Sequence, residues 1–302
     1  MRSEMFLSTA CFALFVVISS VAFSAPVKQL IGFALTHDYG SHVLLIAPIS
    51  IFLIYLQRQK IFSAQVGPDR KRTILAGSGL LVLGSIFLLV SKYQPVSADK
   101  LSLEILSLVI LWILVFAFCY GSESFIKARF PLLFLLLLVP FPEFVIDKTI
   151  FALQVGSSDV AYGLFRILTV PVLKEGFVLR LPMVNLEVAK ECSGIRSSIA
   201  LLVTVLMAAE LGLRSSWRKV LLVLAIIPVL VLKNGMRIVT IYLLAAYLNP
   251  AFLHGWLHTS GGIVFYLLGL AALMPVGTLL RRGEKKPIKM SRTHELVQVT
   301  SG

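Results

Sequence analysis

The sequence predicts an all-α integral membrane protein with about eight transmembrane helices. Of its 302 residues, 58% are hydrophobic and only 14% are charged, and the mean hydropathy is +0.91. This composition is too apolar for a soluble chain of the same length. Apolar runs of about 20 residues recur along the chain, and a helix of that length satisfies its own backbone hydrogen bonds inside a bilayer. A soluble enzyme is therefore excluded.

Eight apolar runs are long enough, or nearly so, to cross the membrane. In chain order they are residues 5–24, 41–56, 73–91, 101–120, 130–146, 194–213, 219–247 and 259–280. The first run precedes Ser24-Ala25-Pro26 and so resembles a cleavable signal peptide. We interpret it as a retained helix, because a chain with seven further spans needs no cleaved signal. Residues 1–282 then form one membrane domain, and the polar tail 283–302 is predicted to be disordered.

Basic residues predict the orientation of the helices, because Lys and Arg collect in cytoplasmic loops. The chain has 28 Lys and Arg against 15 Asp and Glu, a net charge of +13. With eight spans, the most basic segments fall on one side, namely 57–72, 121–129, 214–219 and the tail. This side is predicted to be cytoplasmic and to hold both termini. The outer side then receives the loops around 25–40, 92–100, 147–192 and 248–258.

The longest outer segment, 147–192, is predicted to contain an amphipathic helix and a short β-hairpin before the sixth span. Apolar residues recur at helical spacing on one side of the helix, which favours a position at the membrane surface. These residues are Ile150, Leu153, Val160, Leu164 and Ile167, and the opposite side carries Gln154, Ser158 and Asp159. Alternating residues in 176–182 and 185–188 predict the hairpin.

Three polar clusters occur where the chain enters or crosses the membrane. Ionisable groups at that depth cost several kcal/mol unless paired or hydrated, so they are functional candidates. The first cluster is Glu191-Cys192-Ser193-Gly194-Ile195-Arg196, at the start of the sixth span. The positive end of the helix dipole and Arg196, one turn further on, both favour the thiolate form of Cys192. The alternative is that Cys192 is an ordinary small residue, the interpretation that we give to Cys11 and Cys119.

The second cluster contributes Arg237, and the third contributes two histidines, His254 and His258. Lys233-Asn234-Gly235-Met236-Arg237 interrupts the run 219–247, where Gly235 permits a kink and Arg237 is expected to face the bundle interior. Alternatively, Arg237 extends to the outer interface. His254 and His258 flank Trp256 at the outer mouth of the eighth span, where a histidine also suits an interfacial aromatic belt.

The topology derived from charge places all three clusters on the outer side. A thiol, a histidine base and an arginine that stabilises an oxyanion are the components of a cysteine acyl-transfer site. A zinc site is not favoured, because no Asp, Glu or Cys near His254 and His258 completes a ligand set. The coincidence of the three clusters favours a catalytic interpretation.

In this order, the clusters resemble the exosortase branch of the exosortase/archaeosortase family. The resemblance covers residues 36–280, and Cys192-Ser193-Gly194-Ile195-Arg196 is its most specific block. Thr169 departs from the family pattern, in which we expect glycine. The other matching positions are Ser41-His42 with Pro48, Pro140–Glu143, Leu153-Gln154, Val170–Val172, Leu186–Lys190, Asn234–Ile238, and His258 with Gly262, Phe265 and Tyr266.

The resemblance implies a membrane-embedded cysteine protease and transpeptidase of the bacterial inner membrane, with its active site facing the periplasm. Its partners would be membrane-anchored proteins with a PEP-CTERM-like sorting tail: a Pro-Glu-Pro-like motif, a transmembrane helix and a basic end. Cleavage would pass through a thioacyl enzyme, without a cofactor, a metal or nucleic acid. In this assignment Cys192 is the nucleophile, His258 the general base and acid, and Arg237 the oxyanion stabiliser. The expected supporting or substrate-binding residues are Arg196, Asn234, Ser193, Gly194, His42 and His254.

Two other classes of function are compatible with the residues. In a transporter or a lipid- or polysaccharide-handling protein, polar side chains would line a pathway, and a serine in place of Cys192 would retain activity. These side chains are Arg196, Lys233, Arg237, His42 and His258. In a structural partner of a polysaccharide-export assembly, the site would be unused. The need for the Cys192 thiol separates the transferase from both alternatives.

Overall fold

A computed structural model describes residues 2–37, 39–63, 79, 97–190, 194–253 and 262–284. It confirms the all-α membrane class. Within the described residues, five helices are long and apolar enough to span a bilayer, and a sixth candidate is a pair of helices joined at a sharp bend. The predicted span 73–91 lies outside the described residues, apart from the helical Gly79. The number of spans and their orientation therefore stay predictions.

The described residues form eleven α-helices, two short 3-10 helices and three strands. The helices are α1 Arg2–Ala22, α2 Ser24–Thr36, α3 Val43–Leu56, α4 Arg58–Ile61, α5 Ser97–Lys127, α6 Arg129–Phe134, α7 Glu143–Ile167, α8 Ile195–Gly212, α9 Ser216–Leu224, α10 Ile226–Tyr247 and α11 Gly262–Arg282. Short 3-10 helices cover Leu135–Leu138 and Pro250–Leu253. The strands are β1 Leu173–Glu175, β2 Val178–Arg180 and β3 Asn185–Glu187.

The first helix packs along α5 through polar as well as apolar contacts. The Trp112 indole N–H donates to the Ser19 hydroxyl at 2.9 Å, and the Tyr120 hydroxyl donates to the Thr9 hydroxyl at 3.2 Å. The Phe12 ring meets Phe116 edge to face, with centroids 5.6 Å apart. A cleaved first helix would leave these partners without their contacts. The predicted outer loop around 25–40 is itself largely helical, because α2 occupies Ser24–Thr36.

The predicted fifth span, 130–146, is wrong as a single helix. The helical segment Arg129–Leu138 stops before Pro140-Phe141-Pro142, and α7 begins at Glu143 with its axis bent by 90°. Proline cannot donate a backbone hydrogen bond and disfavours helix at the preceding residue, so the two prolines end one helix and begin the next. Apolar composition continues through the bend, which is why hydropathy alone did not reveal it.

The predicted two sides of α7 are correct only in part. Ile150 and Leu153 of the predicted apolar side are buried, but so are Gln154 and Ser158 of the predicted polar side, and Ile167 is 78% exposed. The cause is that α7 packs closely along α10, where a Cβ on Gly235 would lie 2.4 Å from Val160 Cγ1. Small and polar residues allow such close helix pairs within membranes, while apolar side chains face lipid. The helix thus belongs to the bundle and is not merely interfacial.

The predicted hairpin forms and gains a third strand. The sheet is antiparallel in the order β1-β2-β3, with Glu175 opposite Val178 and Leu179 opposite Leu186. Gly176 has φ +61 in the tight β1–β2 connection. Leu179 is fully buried against a cluster that includes Phe165 and Tyr242, and an ion pair between Lys174 and Asp159 ties the sheet to α7.

Thr169 ends α7 in a left-handed conformation, with φ +56. The Thr169 N–H donates to Arg166 O at 3.1 Å and the Val170 N–H to Phe165 O at 2.9 Å. These two bonds form the Schellman arrangement, in which glycine is the preferred left-handed residue. The glycine that the family pattern led us to expect therefore has a conformational reason.

We expect Thr169→Gly to stabilise the protein by about 1 kcal/mol, because a β-branched residue is strained at this φ. Thermal unfolding in detergent measures the effect. Thr149→Gly is the matched control, since Thr149 lies within the same helix, where glycine is unfavourable. A lowered melting temperature for both variants would contradict the prediction.

Hydrogen bonds join the C-terminal end of α11 to the connection between α8 and α9. One Glu284 carboxylate oxygen accepts hydrogen bonds from the backbone N–H groups of Arg214 and Ser215, at 2.8 and 2.9 Å. The Arg218 guanidinium donates to Leu280 O and Gly283 O, at 2.9 and 2.6 Å. Two of the basic segments predicted to share a side are thus in direct contact.

Hydrogen bonds from Ser215 and Arg214 and the nearby arginines lower the pKa of Glu284 below its ordinary value of 4.5. A carboxyl group with a lowered pKa stabilises the fold above its unfolded pKa, and this effect disappears as pH falls through the folded pKa. We therefore expect Glu284→Gln to melt below the unsubstituted protein at pH 7, and we expect this difference to shrink as the pH falls below 4.5 and through the folded pKa. Glu123→Gln is the control, because Glu123 forms an exposed ion pair with Lys127 within one helix. A difference that persists at low pH would exclude the charge as its cause.

Candidate functional site

The described residues include part of the first predicted cluster and all of the second, but not the histidines of the third. Gly194, Arg196, Asn234, Arg237 and His42 are described, whereas Cys192, Ser193, His254 and His258 lie outside the described residues. The geometry below therefore concerns the surroundings of the proposed catalytic residues, and the roles of those residues stay predictions.

Helix α8 begins at a tightly bonded glycine. Gly194 precedes the helix with φ +74. Its carbonyl oxygen accepts from the Ser198 N–H at 3.0 Å, the Ser198 hydroxyl at 2.8 Å and the Ser197 hydroxyl at 3.0 Å. The left-handed conformation suits glycine, because other residues lack space for Cβ there. The chain direction at the start of α8 is thereby fixed immediately after Ser193.

The second cluster meets this helix start. Lys233 and Asn234 on α10 are 4% and 1% exposed. The Lys233 ammonium donates to the Ser197 hydroxyl at 2.6 Å, and the Asn234 amide donates to the Ser157 hydroxyl of α7 at 2.9 Å. A Cβ on Gly194 would lie 2.9 Å from Asn234 Oδ1. We call these five residues, Ser157, Gly194, Ser197, Lys233 and Asn234, the polar network. It joins α7, α8 and α10.

Arg237 lies one helical turn beyond Lys233, and its side chain is half-buried. Helix α10 runs continuously from Ile226 to Tyr247, so the predicted kink at Gly235 is not found. Gly235 instead provides the space in which Val160 of α7 approaches α10. Arg196, on the first turn of α8, has an exposed side chain.

His42 lies beside the bend that precedes α7. Its side chain is 8% exposed and its ring faces Phe141 in a stacked orientation, with centroids 6.4 Å apart. Among the described residues, the Nε2 atom of His42 has no hydrogen-bond partner. Nearby, burial and the Glu143 and Asp147 carboxylates raise the pKa of Tyr39. The structure thus places His42 at the bend, not among the residues of the polar network.

Sequence reasoning missed a cleft between α7 and the sheet. Its volume is about 660 Å³, and the chain leaves it at Lys190, two residues before Cys192. The Gln154 amide donates to Val188 O at 2.7 Å and holds the sheet against α7. The cleft is lined by Asp147, Lys148, Ile150, Phe151, Gln154, Phe177, Glu187, Ala189 and Lys190. The rings of Phe151 and Phe177 meet edge to face, with centroids 5.7 Å apart. They lie between this cleft and a second cavity of about 400 Å³.

The cleft combines apolar walls with charged rims, the usual composition of a binding site. Lys190 and Asp147 form an exposed ion pair at 3.4 Å. The sequence signals were Phe151 on the predicted helix and Phe177 in the hairpin turn, but neither pattern indicated that the two rings face each other. Within the described residues, no three His, Cys, Asp or Glu side chains form a group able to bind a metal.

Comparison with protein families gives one match. The family model described as transmembrane exosortase matches residues 34–275, which include all three polar clusters. No curated protein and no solved structure matches the chain.

Proposed function

Because the chain belongs to the transmembrane exosortase family, whose members are membrane transpeptidases, we propose that it is a membrane-embedded cysteine protease and transpeptidase. Its proposed substrates are proteins that carry PEP-CTERM-like C-terminal sorting tails. They are cleaved at the outer, periplasmic face of the bacterial inner membrane. The observation that carries this proposal is the family match, since its range, residues 34–275, contains Cys192, Arg237 and His258.

In the proposed reaction, His258 takes the proton of the Cys192 thiol, and the thiolate attacks the scissile carbonyl carbon. The carbonyl oxygen becomes an oxyanion, which the Arg237 guanidinium stabilises. When the carbon–nitrogen bond breaks, His258 protonates the leaving amine and the substrate remains as a thioester on Cys192. An acceptor amine or water then attacks the thioester and restores the thiol.

The described geometry supports this reaction through chain connectivity. Asn234 contacts Gly194, and Arg237 lies one turn along the helix that carries Asn234. Cys192 precedes Gly194 by two residues, so the chain cannot place it further away than about 7 Å. Gly194, two residues after the proposed nucleophile, therefore lies beside Asn234, three residues before the proposed oxyanion stabiliser, although 40 residues separate Gly194 from Asn234 in sequence.

We place the substrate segment next to the scissile bond in the cleft between α7 and the sheet. The cleft opens beside the chain that leads to Cys192, and the Phe151 and Phe177 rings contribute apolar surface to its lining. Lys148 forms no ion pair with any carboxylate of the described residues and is available to an acidic substrate side chain. A short motif of prolines around a glutamate has the matching chemistry.

Phe151→Ala is expected to raise KM for a tailed substrate about tenfold, because the ring contributes apolar contact area to the cleft. The matched control is Phe144→Ala, on the same helix, where the ring is 68% exposed and does not line the cleft. Initial cleavage rates of a fluorescent tailed peptide in detergent measure both. Equal KM values for the two variants would exclude the cleft as the binding site.

Trapping the thioacyl enzyme tests the proposed function directly. Purified protein is mixed with a tailed substrate and quenched in acid, and the cysteine peptides are analysed by mass spectrometry. We expect the amino-terminal substrate fragment on Cys192, released by hydroxylamine, and none on Cys119. Cleavage that proceeds with the adduct on another residue would refute the cysteine mechanism at Cys192.

A further inference from the structure

One edge of the small sheet has no partner strand among the described residues. The strand order β1-β2-β3 makes β2 the central strand, and β3 pairs with β2 alone. Strand β3 is short, and its end residues Asn185 and Glu187 are exposed. We call the side of β3 that faces away from β2 its outer edge. An unpaired edge presents backbone N–H and C=O groups with which a further strand can pair.

The hydrogen-bond pattern shows which backbone groups point toward the outer edge. The Val188 N–H donates to Phe177 O at 2.9 Å, and the next pair in the register is Glu187 opposite Val178. In an antiparallel pair, residues that bond to the neighbouring strand alternate with residues that do not. Because Val188 bonds across the pair, Glu187 does not, and its N–H and C=O point away from β2.

The cleft of about 660 Å³ lies along this outer edge. Glu187 and Ala189 line it on the side of the sheet, and Lys148 and Phe151 line it on the side of α7. An extended chain between these two walls would pair its backbone with β3. Its alternate side chains would point to opposite faces, so that one set contacts the apolar lining of the cleft.

The chemistry of the edge favours an extended peptide, and the substrate is the peptide that fits. Backbone donors and acceptors that recur at every second residue match another strand, whereas a helix bonds its own backbone and an acyl chain has no such groups. Short edge strands with charged side chains disfavour pairing between two copies of a protein. The Lys148 ammonium, which forms no ion pair with the described carboxylates, complements an acidic substrate residue.

We propose that the substrate segment binds as a fourth strand on the outer edge of β3, and that Glu187 selects the substrate residue opposite it. This inference rests on the proposed function, which places the segment in the cleft, and adds its conformation and one determinant of sequence. Glu187 exchanges backbone hydrogen bonds with the substrate. Side chains that lie opposite each other in paired strands interact, and like charges there are unfavourable. The Glu187 carboxylate therefore disfavours an acidic substrate residue at that one position and favours a basic one.

A backbone N-methyl scan of the substrate tests the strand pairing. The probe is a fluorescent peptide with a Pro-Glu-Pro-like motif and the residues on either side of it. Its binding to full-length Cys192→Ala protein in detergent is followed by anisotropy, so that cleavage does not interfere. One methyl group is placed on one non-proline backbone nitrogen at a time. We expect a loss of affinity of about tenfold at every second residue along the bound segment, because a strand hydrogen bond is lost there, and little change at the residues between.

A charge exchange at Glu187 tests the proposed selectivity. At one of the methyl-sensitive positions, a peptide with Glu is expected to bind about threefold more weakly than a peptide with Lys. Glu187→Lys is expected to reverse this preference. The matched control is Glu175→Lys, because Glu175 is an exposed acid of the same sheet that does not line the cleft. This control is expected to keep the original preference, and melting temperatures show that both variants fold.

Several results would overturn the inference. They are a peptide that does not bind, methyl effects that do not alternate, and a charge preference that Glu187→Lys leaves unchanged or that Glu175→Lys also reverses. The outer edge would then be occupied by another segment of this chain or by a second copy of it.

Failure of the inference is distinguishable from failure of the proposed function. If the protein cleaves tailed substrates but the methyl effects do not alternate, only the strand pairing and the role of Glu187 are lost. If the peptide binds with alternating methyl effects but no substrate is cleaved through Cys192, the proposed chemistry is lost and the mode of binding stands.

Discussion

Cys192→Ala is expected to abolish processing of a tailed substrate while the amount of protein in the membrane stays unchanged. Removing a nucleophile typically costs on the order of 10⁴-fold or more in rate, because the covalent route disappears entirely. A reporter protein with a Pro-Glu-Pro-like motif, a transmembrane helix and a basic end provides the substrate. Its mobility on an immunoblot of membranes distinguishes cleaved from uncleaved forms.

The control and a second substitution separate the alternatives. Cys119→Ala replaces a half-buried cysteine of α5 and is expected to leave processing intact. Cys192→Ser is expected to be as inactive as the alanine variant, because a serine hydroxyl is a much weaker nucleophile than a thiolate. If Cys192→Ser worked normally, the transporter-like interpretation of the polar residues would be favoured instead.

Gly194→Ala is expected to lower processing at least about 100-fold, although the substitution adds a single methyl group. Two separate effects combine at this position. The left-handed φ of +74 disfavours any residue with a Cβ, by about 1–2 kcal/mol. The added carbon would also lie 2.9 Å from Asn234 Oδ1, so either Asn234 or the start of α8 must shift. Either shift alters the start of α8, two residues after the proposed nucleophile, or the residue packed against it.

Gly212→Ala is the matched control, since Gly212 ends the same helix and an added Cβ there meets nothing within 4 Å. Cleavage rates of both variants are compared at equal protein level, with melting temperatures as a check on folding. If Gly194→Ala retained normal activity, the polar network would have no part in positioning the site.

Much of the fold was predictable because hydropathy reports directly on the solvent around a helix. The predicted spans 5–24, 41–56, 194–213 and 259–280 correspond to α1, α3, α8 and α11 within a few residues. The predicted end at residue 120 coincides with Gly121, where φ is +84 and the helical run of α5 is interrupted. Hydropathy failed at Pro140-Phe141-Pro142, because lipid-compatible composition continues through a bend that backbone chemistry imposes.

The buried face of a helix was harder to predict than its position in the chain. In water the apolar face of an amphipathic helix is buried, whereas in lipid that face is exposed. Ile150 and Leu153 of the predicted apolar side of α7 are buried, as are Gln154 and Ser158 of the predicted polar side, whereas Ile167 is exposed. In a bilayer, apolar side chains face the lipid and small polar ones mediate helix contacts. The periodicity therefore identified a two-sided helix but divided its residues only partly as the structure does.

The membrane class, the family and the residues that we propose for catalysis can all be identified without a structure. These properties depend on composition and on residue types in a fixed order, both of which are present in the unfolded chain. The folded protein was needed to show that Lys233 and Asn234 lie beside Gly194. It was also needed to show that Phe151 and Phe177 line a cleft beside the chain leading to Cys192. Such contacts join residues far apart in sequence, and they arise from the close packing of helices that no local pattern encodes.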